Sequence, residues 1–523
     1  MKYPIGKQDF KAIREEGYLY VDKTRFIAEL LEGSSYSFLA RPRRFGKSLF
    51  LSTLECFFRG ERDLFKGLYI DSYDWEWEEF PVIHIDLNGV NYTTDKSALL
   101  LKLNKELEAV ENKYEVKHYQ GLTSLRLDTL IRNLFEKTGR KIVVLVDEYE
   151  KPILDTIDNP VLCDQFREEL RGFYGVLKSL DRYLKFVFIT GITKFGKMNI
   201  FSQFNNILDI SLLDRYNSVC GITDDEIREY FKEGVEKLGE SKGIEPEGAL
   251  SLLKENYDGY HFSENCPDLY NPYSLICALA NSDINPYWSE TGTPTILAQM
   301  LLSNDYSLED LNGIRVQKNR LMDVGYEFDD PVPLFYQTGY LTIKHYNRAL
   351  NLFTLGFPNS EVEVAFFNFL MPYYMKAKSA KSKSFVTDFI EGIHTGDAEG
   401  AMKALEAFSS SINYDIVQAP EVERHFQNMI YLFSRLIMPY TVTVKAEEHT
   451  SDGRIDLLIT TERYVYIFEF KRDRSAKEAL RQIEERGYWR QFSSDSREVF
   501  LIGVNFSTAK RRIDGYIVKL MGN

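Results

Sequence analysis

The chain has 523 residues, 44% hydrophobic and 14% aromatic, which suffices for sizeable cores and suggests two to four domains. A net charge of −14 excludes a protein whose whole surface binds nucleic acid, so any such contact needs a local basic patch. No apolar run approaches a membrane span and the N-terminus has no signal-peptide core, so a soluble cytoplasmic protein without a membrane partner is expected.

In chain order, residues 18–24 read as a short strand, and a helical pattern through Phe26, Ile27, Leu30 and Leu31 ends at Gly33. The apolar run 36–40 reads as a buried strand. A tight turn then carries Arg41, Pro42, Arg43, Arg44 and Phe45 into Gly46, Lys47 and Ser48, followed by an amphipathic run through Leu51, Leu54, Phe57 and Phe58. Strand, basic turn, Gly-Lys-Ser and helix are the layout of a Walker A phosphate-binding loop. Backbone N–H groups of the turn and helix N-terminus point at an anion. Lys47 would reach the β/γ-phosphates of ATP, and the Ser48 hydroxyl would ligate Mg²⁺. Gly46 admits close approach of the backbone. Lys47 is expected to stand exposed. The first glycine of the usual pattern is replaced by Arg41, which Pro42 biases toward an extended conformation. A surface basic cluster ahead of an ordinary helix is the plainer alternative.

Residues 81–87 form a second apolar strand, 99–110 and 122–135 read as helices, and Gly139 closes the second. The run 141–150 is the strongest strand signal, apolar without alternation, as in a parallel sheet covered on both faces. It ends in Asp147-Glu148, where such sheets bind ligands. Asp147 would hold Mg²⁺ as a Walker B aspartate, and Glu148 would orient and polarise the attacking water. Residues 166–180 read as a helix and 184–193 as another buried strand, ending in the hydroxyls of Thr190 and Thr193. Either hydroxyl is a candidate γ-phosphate sensor; β-branched packing explains them equally well. Residues 206–210 supply a last strand.

Four stretches carry a family resemblance: Tyr20-Val-Asp-Lys-Thr24, Arg41-Pro-Arg-Arg-Phe-Gly-Lys-Ser48, Val144-Leu-Val-Asp-Glu-Tyr149 and Phe188-Ile-Thr-Gly-Ile-Thr-Lys194. On them the first half resembles the AAA-ATPase-like family of bacterial and archaeal proteins, usually joined to a C-terminal nuclease-like domain. The resemblance makes Arg41 the family's own variant of the loop. It implies an ASCE-type P-loop fold, with one strand between the Walker A and Walker B strands.

From Asp224 helical patterns dominate to about Phe357, after a cap-like Thr223-Asp-Asp-Glu226. They are punctuated by Asn256-Tyr-Asp-Gly-Tyr-His-Phe262, Tyr270-Asn-Pro-Tyr-Ser274 and Tyr336-Gln-Thr-Gly-Tyr-Leu-Thr342, which also match the family. These are expected to pack a helical lid on the ATPase core, with His261 a structural histidine. The basic run 376–384 reads as an exposed loop, a solvated linker or a phosphate-backbone contact. Cys56, Cys163, Cys220, Cys266 and Cys277 are scattered and read as free thiols of a reducing compartment.

An amphipathic helix at 422–437 precedes two β-runs, 452–459 and 464–471, joined by a hairpin-length connection. Glu469 and Lys471 are two apart and share a strand face, and Asp456 on the neighbouring run can project to it. Asp456 and Glu469 are hard oxygen ligands for Mg²⁺ or Mn²⁺. Lys471 can orient the attacking water or stabilise developing charge. This is the Asp…Glu-x-Lys layout of the PD-(D/E)xK nucleases, which the C-terminal part resembles. Residues 476–488, with Gln482 and Tyr488, look like the Gln/Tyr helix of exonuclease-type members, and 501–505 like a following buried strand. Glu423 matches a position where some members carry an extra metal-site acid.

The expected architecture is therefore α/β: a P-loop NTPase domain at 1–215, a helical lid or linker region at 216–410, and a restriction-endonuclease-like domain at 411–523. The expected function is ATP binding and hydrolysis joined to Mg²⁺-dependent cleavage of nucleic acid, with DNA the favoured substrate. A nucleotide switch with a vestigial nuclease fold, or a nucleic-acid-binding ATPase without cleavage, are the alternatives. DNA against RNA, exo- against endonuclease, assembly into a homo-oligomer and the arginine finger (Arg215 is one of many candidates) stay open.

Overall fold

The computed structural model describes all residues except 1, 94, 195–205, 289–296, 299, 302–307, 322–329, 375–378, 412–421, 438–442, 451–452, 494 and 522–523. The chain divides into two compact units, Met1–Asn304 with Gly313–Val362, and Asp305–Asn312 with Glu363–Asn523.

The first unit is organised by β1 (Tyr36–Ala40), β2 (Val82–Asp86), β3 (Ile142–Asp147), β4 (Leu184–Gly191) and β5 (Leu208–Asp209), all parallel in the order β2-β3-β4-β1-β5. β4 lies between β1 and β3, as the P-loop reading requires. Every residue of β1 and β3 is buried, the outcome expected of runs with no polar alternation. Registers pairing Ala40 with Gly191 and Asp86 with Asp147 bring the C-terminal ends of four strands to one edge. Helices Lys47–Phe58, Ala98–Lys113 and Thr123–Thr138 pack on the strands. The last of these is closed by left-handed Gly139 (φ 67°). The helix expected at 166–180 starts earlier, at Pro160, because Asn159 caps it.

Residues 18–24 are not a strand. Leu19 N bonds to Lys2 O, while the Asp22 carboxylate takes the N–H groups of Thr24 and Tyr69, so the segment is tied by side chains.

Beyond β5 the predicted capping box is present: Thr223 and Glu226 cap the helix Asp224–Tyr230. It packs with Lys232–Lys242, Pro246–Tyr257 and Pro272–Asn281 around Ile227, Phe231, Leu238, Leu253 and Leu275. This mostly helical region also carries an antiparallel sheet that the periodicity did not reveal, β6 (Arg315–Gln317), β7 (Thr342–Asn347) and β8 (Leu352–Gly356), in the order β6-β8-β7. Between β6 and β7 stand helices Lys318–Leu321 and Val332–Thr338, the second wholly buried.

The second unit is built on a mixed sheet, β9 (Thr443–Thr450), β10 (Gly453–Thr460), β11 (Tyr464–Arg472), β12 (Glu498–Ser507) and β13 (Arg512–Leu520), in the order β13-β12-β11-β10-β9. Only β11 and β12 are parallel, and the helix Ala476–Arg486 makes their crossover. Residues 375–378 of the basic run lie outside the described residues. From Ser379 the chain is helical to Thr395, so the rest of that run is helix where a loop was expected. Among the described residues no helix is long and apolar enough to cross a membrane, and all five cysteines are buried thiols outside any disulfide.

Candidate nucleotide and metal sites

β1 delivers the chain into residues 41–46, where Arg44 (φ 67°) and Gly46 (φ 93°) adopt left-handed conformations. Such turns present runs of N–H groups that hold anions. A Cβ built at Gly46 meets nothing within 4 Å, so open space lies beside the start of the helix Lys47–Phe58. Lys47 is not exposed. Only 4% accessible, it donates to Arg41 O (3.1 Å) and Pro42 O (3.2 Å) and lies 3.5 Å from Glu148 Oε1. The loop's carbonyls and the acid bury the ammonium that the sequence left in solvent.

Ser48 lies close enough to the Asp147 carboxylate to favour its charged form. Burial, and next the charge of Glu148, push Asp147 up to about 6 against Ser48 and Lys47. Glu148 is left-handed (φ 49°), and its N–H donates to Asp147 Oδ1 (3.0 Å). A non-glycine residue held there costs about 1–3 kcal/mol, a strain that clusters at functional sites.

The side chains of Arg41, Pro42, Arg44 and Phe45 have other neighbours. Arg41 is 1% exposed, and its guanidinium donates to the carbonyls of Ala40, Ser211, Tyr216 and Asn217 and lies 4.3 Å from the Phe262 ring. Pro42 abuts Gly339, where an added Cβ would come within 2.7 Å of Pro42 Cβ. Phe45 packs edge-on against Tyr260 (4.7 Å) and Phe262 (5.2 Å). Arg43 is half-buried; the exposed Arg44 stacks 4.2 Å over Tyr273. Thr190 Oγ1 donates to Leu39 O (2.8 Å), bracing β4 to β1, whereas buried Thr193 Oγ1 has no hydrogen-bond partner among the described residues. Next to Gly46 lies an apolar cavity of about 80 Å³, lined among others by Tyr20, Phe50, Cys220, Ile222 and Ile276.

In the second unit the β10–β11 ladder runs to Leu457↔Phe468. There the Phe470 N–H turns to Asp456 Oδ2 (2.8 Å) instead of a carbonyl. Glu469 Oε1 accepts from Lys471 Nζ (2.8 Å) and from Gln482 Nε2. Glu469 Oε2 is buried without a hydrogen-bond partner among the described residues. Burial, and next the Asp456 charge, push the Glu469 carboxyl up to about 7, opposed by Lys471 and Gln482. So Asp456, Glu469, Lys471 and Gln482 do meet. Tyr488 does not join them; it belongs to the core with Leu458, Val465, Ile483 and Leu501. The Glu423 side chain lies outside the described residues. No cluster of three or more His, Cys, Asp or Glu able to hold a metal was found among the described residues.

Residues 4–201 match the model of a predicted AAA-ATPase family, and residues 421–515 that of the PD-(D/E)XK nuclease superfamily. An uncharacterized protein in the vnfD 5′ region of Azotobacter chroococcum mcd 1 is 32% identical over 529 residues, covering 100% of this chain and 99% of that protein. The chain belongs to the AAA-ATPase-like family with a C-terminal PD-(D/E)XK domain. Domains of these two kinds generally use ATP and divalent metals. The Aeropyrum pernix ORC2 protein, solved in ADPNP–ADP complexes, is 10% identical, over 64% of this chain and 87% of that one. The TM-score of that likeness is 0.24.

The donors of this AAA-ATPase-like protein fit the groups its family uses. The open space at Gly46, bordered by Lys47 and the Ser48–Asp147 pair, suits phosphates with a hard cation. At Glu469, a buried carboxylate oxygen without a partner beside a second acid suits a divalent metal. Sequence reasoning missed Glu150, which is fully buried. Its Oε1 accepts from Ile192 N and from Thr193 N (3.4 Å), while burial, and next Glu148, raise its carboxyl to about 8. A Cβ at Gly191 would collide with it, and that glycine was the one available signal.

Proposed function

We propose that this protein binds and hydrolyses ATP at residues 41–48, Asp147 and Glu148, and that its C-terminal domain is a Mg²⁺-dependent nuclease acting on DNA under control of the nucleotide state. The observation that carries the reading is the meeting of Lys47, Ser48, Asp147 and Glu148 at the ends of β1 and β3. As Walker A residues, Lys47 would hold the phosphates and Ser48 the Mg²⁺ together with the Walker B Asp147. Glu148, 3.5 Å from the lysine, would act on the water. The apolar cavity beside Gly46 would take the base.

In the nuclease domain Asp456 and Glu469 would hold Mg²⁺ or Mn²⁺, Lys471 would orient the attacking water, and Gln482 would fix the Glu469 carboxylate through its hydrogen bond. A bound metal supplies a polarised phosphate and a more acidic water. We place the ATPase domain at 1–215, the lid region at 216–410 and the nuclease domain at 411–523, with a cytoplasmic location.

Purified protein incubated with linear, circular and single-stranded DNA and with RNA, with and without ATP and Mg²⁺, tests this. The expected result is ATP turnover and metal-dependent DNA scission that responds to nucleotide. Tight nucleotide binding without turnover identifies a switch instead; DNA-stimulated turnover without scission identifies a DNA-binding ATPase.

A further inference from the structure

Three successive N–H groups come after the end of β4 at Gly191, those of Ile192, Thr193 and Lys194. All three face oxygens of side chains. Ile192 and Thr193 donate to Glu150 of the segment after β3, and Lys194 N donates to Gln337 Oε1 (2.6 Å). The Thr193 carbonyl accepts from Tyr149 OH (2.9 Å). Buried peptide groups must find partners, and these side chains dictate where the segment sits.

Gln337 comes from a distant part of the chain, 143 positions beyond Lys194. It lies on the buried helix Val332–Thr338, is itself 3% exposed, and donates Nε2 to Leu321 O (3.1 Å). A carboxamide bonded at both ends is fixed in orientation, its oxygen on the N–H and its nitrogen on the carbonyl. Two residues later Gly339 abuts Pro42, ahead of Lys47. One buried element therefore touches both the loop before Lys47 and the stretch after Thr190.

We propose that Gln337 is a positioning residue for ATP hydrolysis: through its bond to Lys194 N it holds the segment 192–194, and with it the Thr193 hydroxyl, unpartnered among the described residues, in the place turnover requires. This rests on the reading that the site hydrolyses ATP. Gln337 makes no bond to Gly46, Lys47 or Ser48 among those found, so its work is separable from nucleotide binding.

The test compares the parent with Gln337→Met, which keeps the shape without either bond, and Gln337→Glu, which keeps an oxygen for Lys194 N. Turnover of MgATP, ATP affinity and melting temperature are measured on all three. The expectation is that Gln337→Met loses at least tenfold in kcat with affinity within twofold of the parent, and that Gln337→Glu recovers part of kcat. If Gln337→Met fails to fold, Gln337→Glu alone decides, by a lowered kcat at parental affinity. Parental kcat in the folded variants overturns the proposal, as does loss of affinity and melting temperature in step with kcat without recovery by glutamate. A parent that binds ATP but does not hydrolyse it, or binds none, removes the function reading and this proposal together. An active parent with active variants removes this proposal alone.

Discussion

Removing the Lys47 ammonium would take away the proposed hydrogen-bond donor to phosphate, and it removes the bonds to Arg41 O and Pro42 O. Lys47→Ala should therefore weaken ATP binding by roughly tenfold to a hundredfold, since a charged hydrogen bond contributes about 1.5–3 kcal/mol. A modest fall in melting temperature should accompany it, because the lysine is buried and not exposed. Isothermal titration and a thermal melt read both; parental affinity would remove Lys47 from the site. Glu148→Gln keeps the shape and leaves Asp147 in place, so ATP affinity should hold while turnover falls at least a hundredfold. Unchanged turnover with weakened binding contradicts the division of roles. That Lys47, Ser48, Asp147 and Glu148 come together was legible because the four lie in two short runs at the ends of the buried strands β1 and β3. Arg41 was not. Whether a guanidinium meets phosphates or the carbonyls of Ser211, Tyr216 and Asn217 depends on a segment some 170 positions away, which no local pattern encodes.

Elements position these groups through close approaches that glycines permit. A Cβ on Gly503 of β12 would come within 2.4 Å of Ala476 O and 2.5 Å of Leu480 N, both backbone atoms of the crossover helix. Gly503→Ala should push that helix off the sheet, cost about 1–3 kcal/mol as overpacking does, and carry Gln482 away from Glu469. Cleavage should fall with the melting temperature; a variant with parental values on both would show that the helix has slack.

A second test concerns Glu361, near the start of the helix Ser360–Tyr374, whose Oε1 accepts from Trp288 N (2.8 Å) and Ser274 Oγ (3.1 Å). Burial raises its carboxyl from 4.5 to about 7, with those two bonds among the opposing effects. The folded group thus stays protonated over a range where the unfolded one ionises. Its contribution is fully present below about 4.5 and is lost as pH rises toward about 7, where the loss levels off. Against Glu361→Gln, which cannot ionise, the parent should lose up to about 3 kcal/mol between pH 4 and pH 8. Urea unfolding of both proteins at the two pH values measures it, and a constant difference refutes the shift. At this scale the long buried strands β3 and β4 were legible from their unbroken apolar runs. The short β6, with only Val316 buried, and the turn-tied residues 18–24 were not, because side-chain ties and three-residue ladders leave no periodicity.

At the scale of the whole molecule, the two candidate sites lie in separate compact units, each with its own sheet and its own acids. That pairing was legible from two motifs and the family resemblance they carry, whereas the contacts of Gln337 and Gly339 with Lys194 and Pro42 join residues far apart in sequence, which no local pattern encodes. The nuclease site should be able to fail without the ATPase site. Asp456→Ala, Glu469→Ala and Lys471→Ala should each abolish cleavage and leave ATP turnover within about twofold, because the two sites use different acids in different compact units. Within the nuclease site the three should differ. Burial first, and next the charge of nearby Asp456, raises the Glu469 carboxyl, and a divalent cation relieves the repulsion between the two acids. Either alanine at an acid should therefore weaken Mn²⁺ binding. Lys471 opposes the same shift by its own positive charge, 2.8 Å from Glu469 Oε1, and so competes with the cation. Lys471→Ala should bind Mn²⁺ as tightly as the parent or more so, yet cleave nothing, since the water loses its orienting ammonium. Calorimetry with Mn²⁺ beside a gel cleavage assay reads both properties. Cleavage persisting in Glu469→Ala sinks the site, and metal binding lost in a folded Lys471→Ala sinks the assignment of lysine to the water and the acids to the metal.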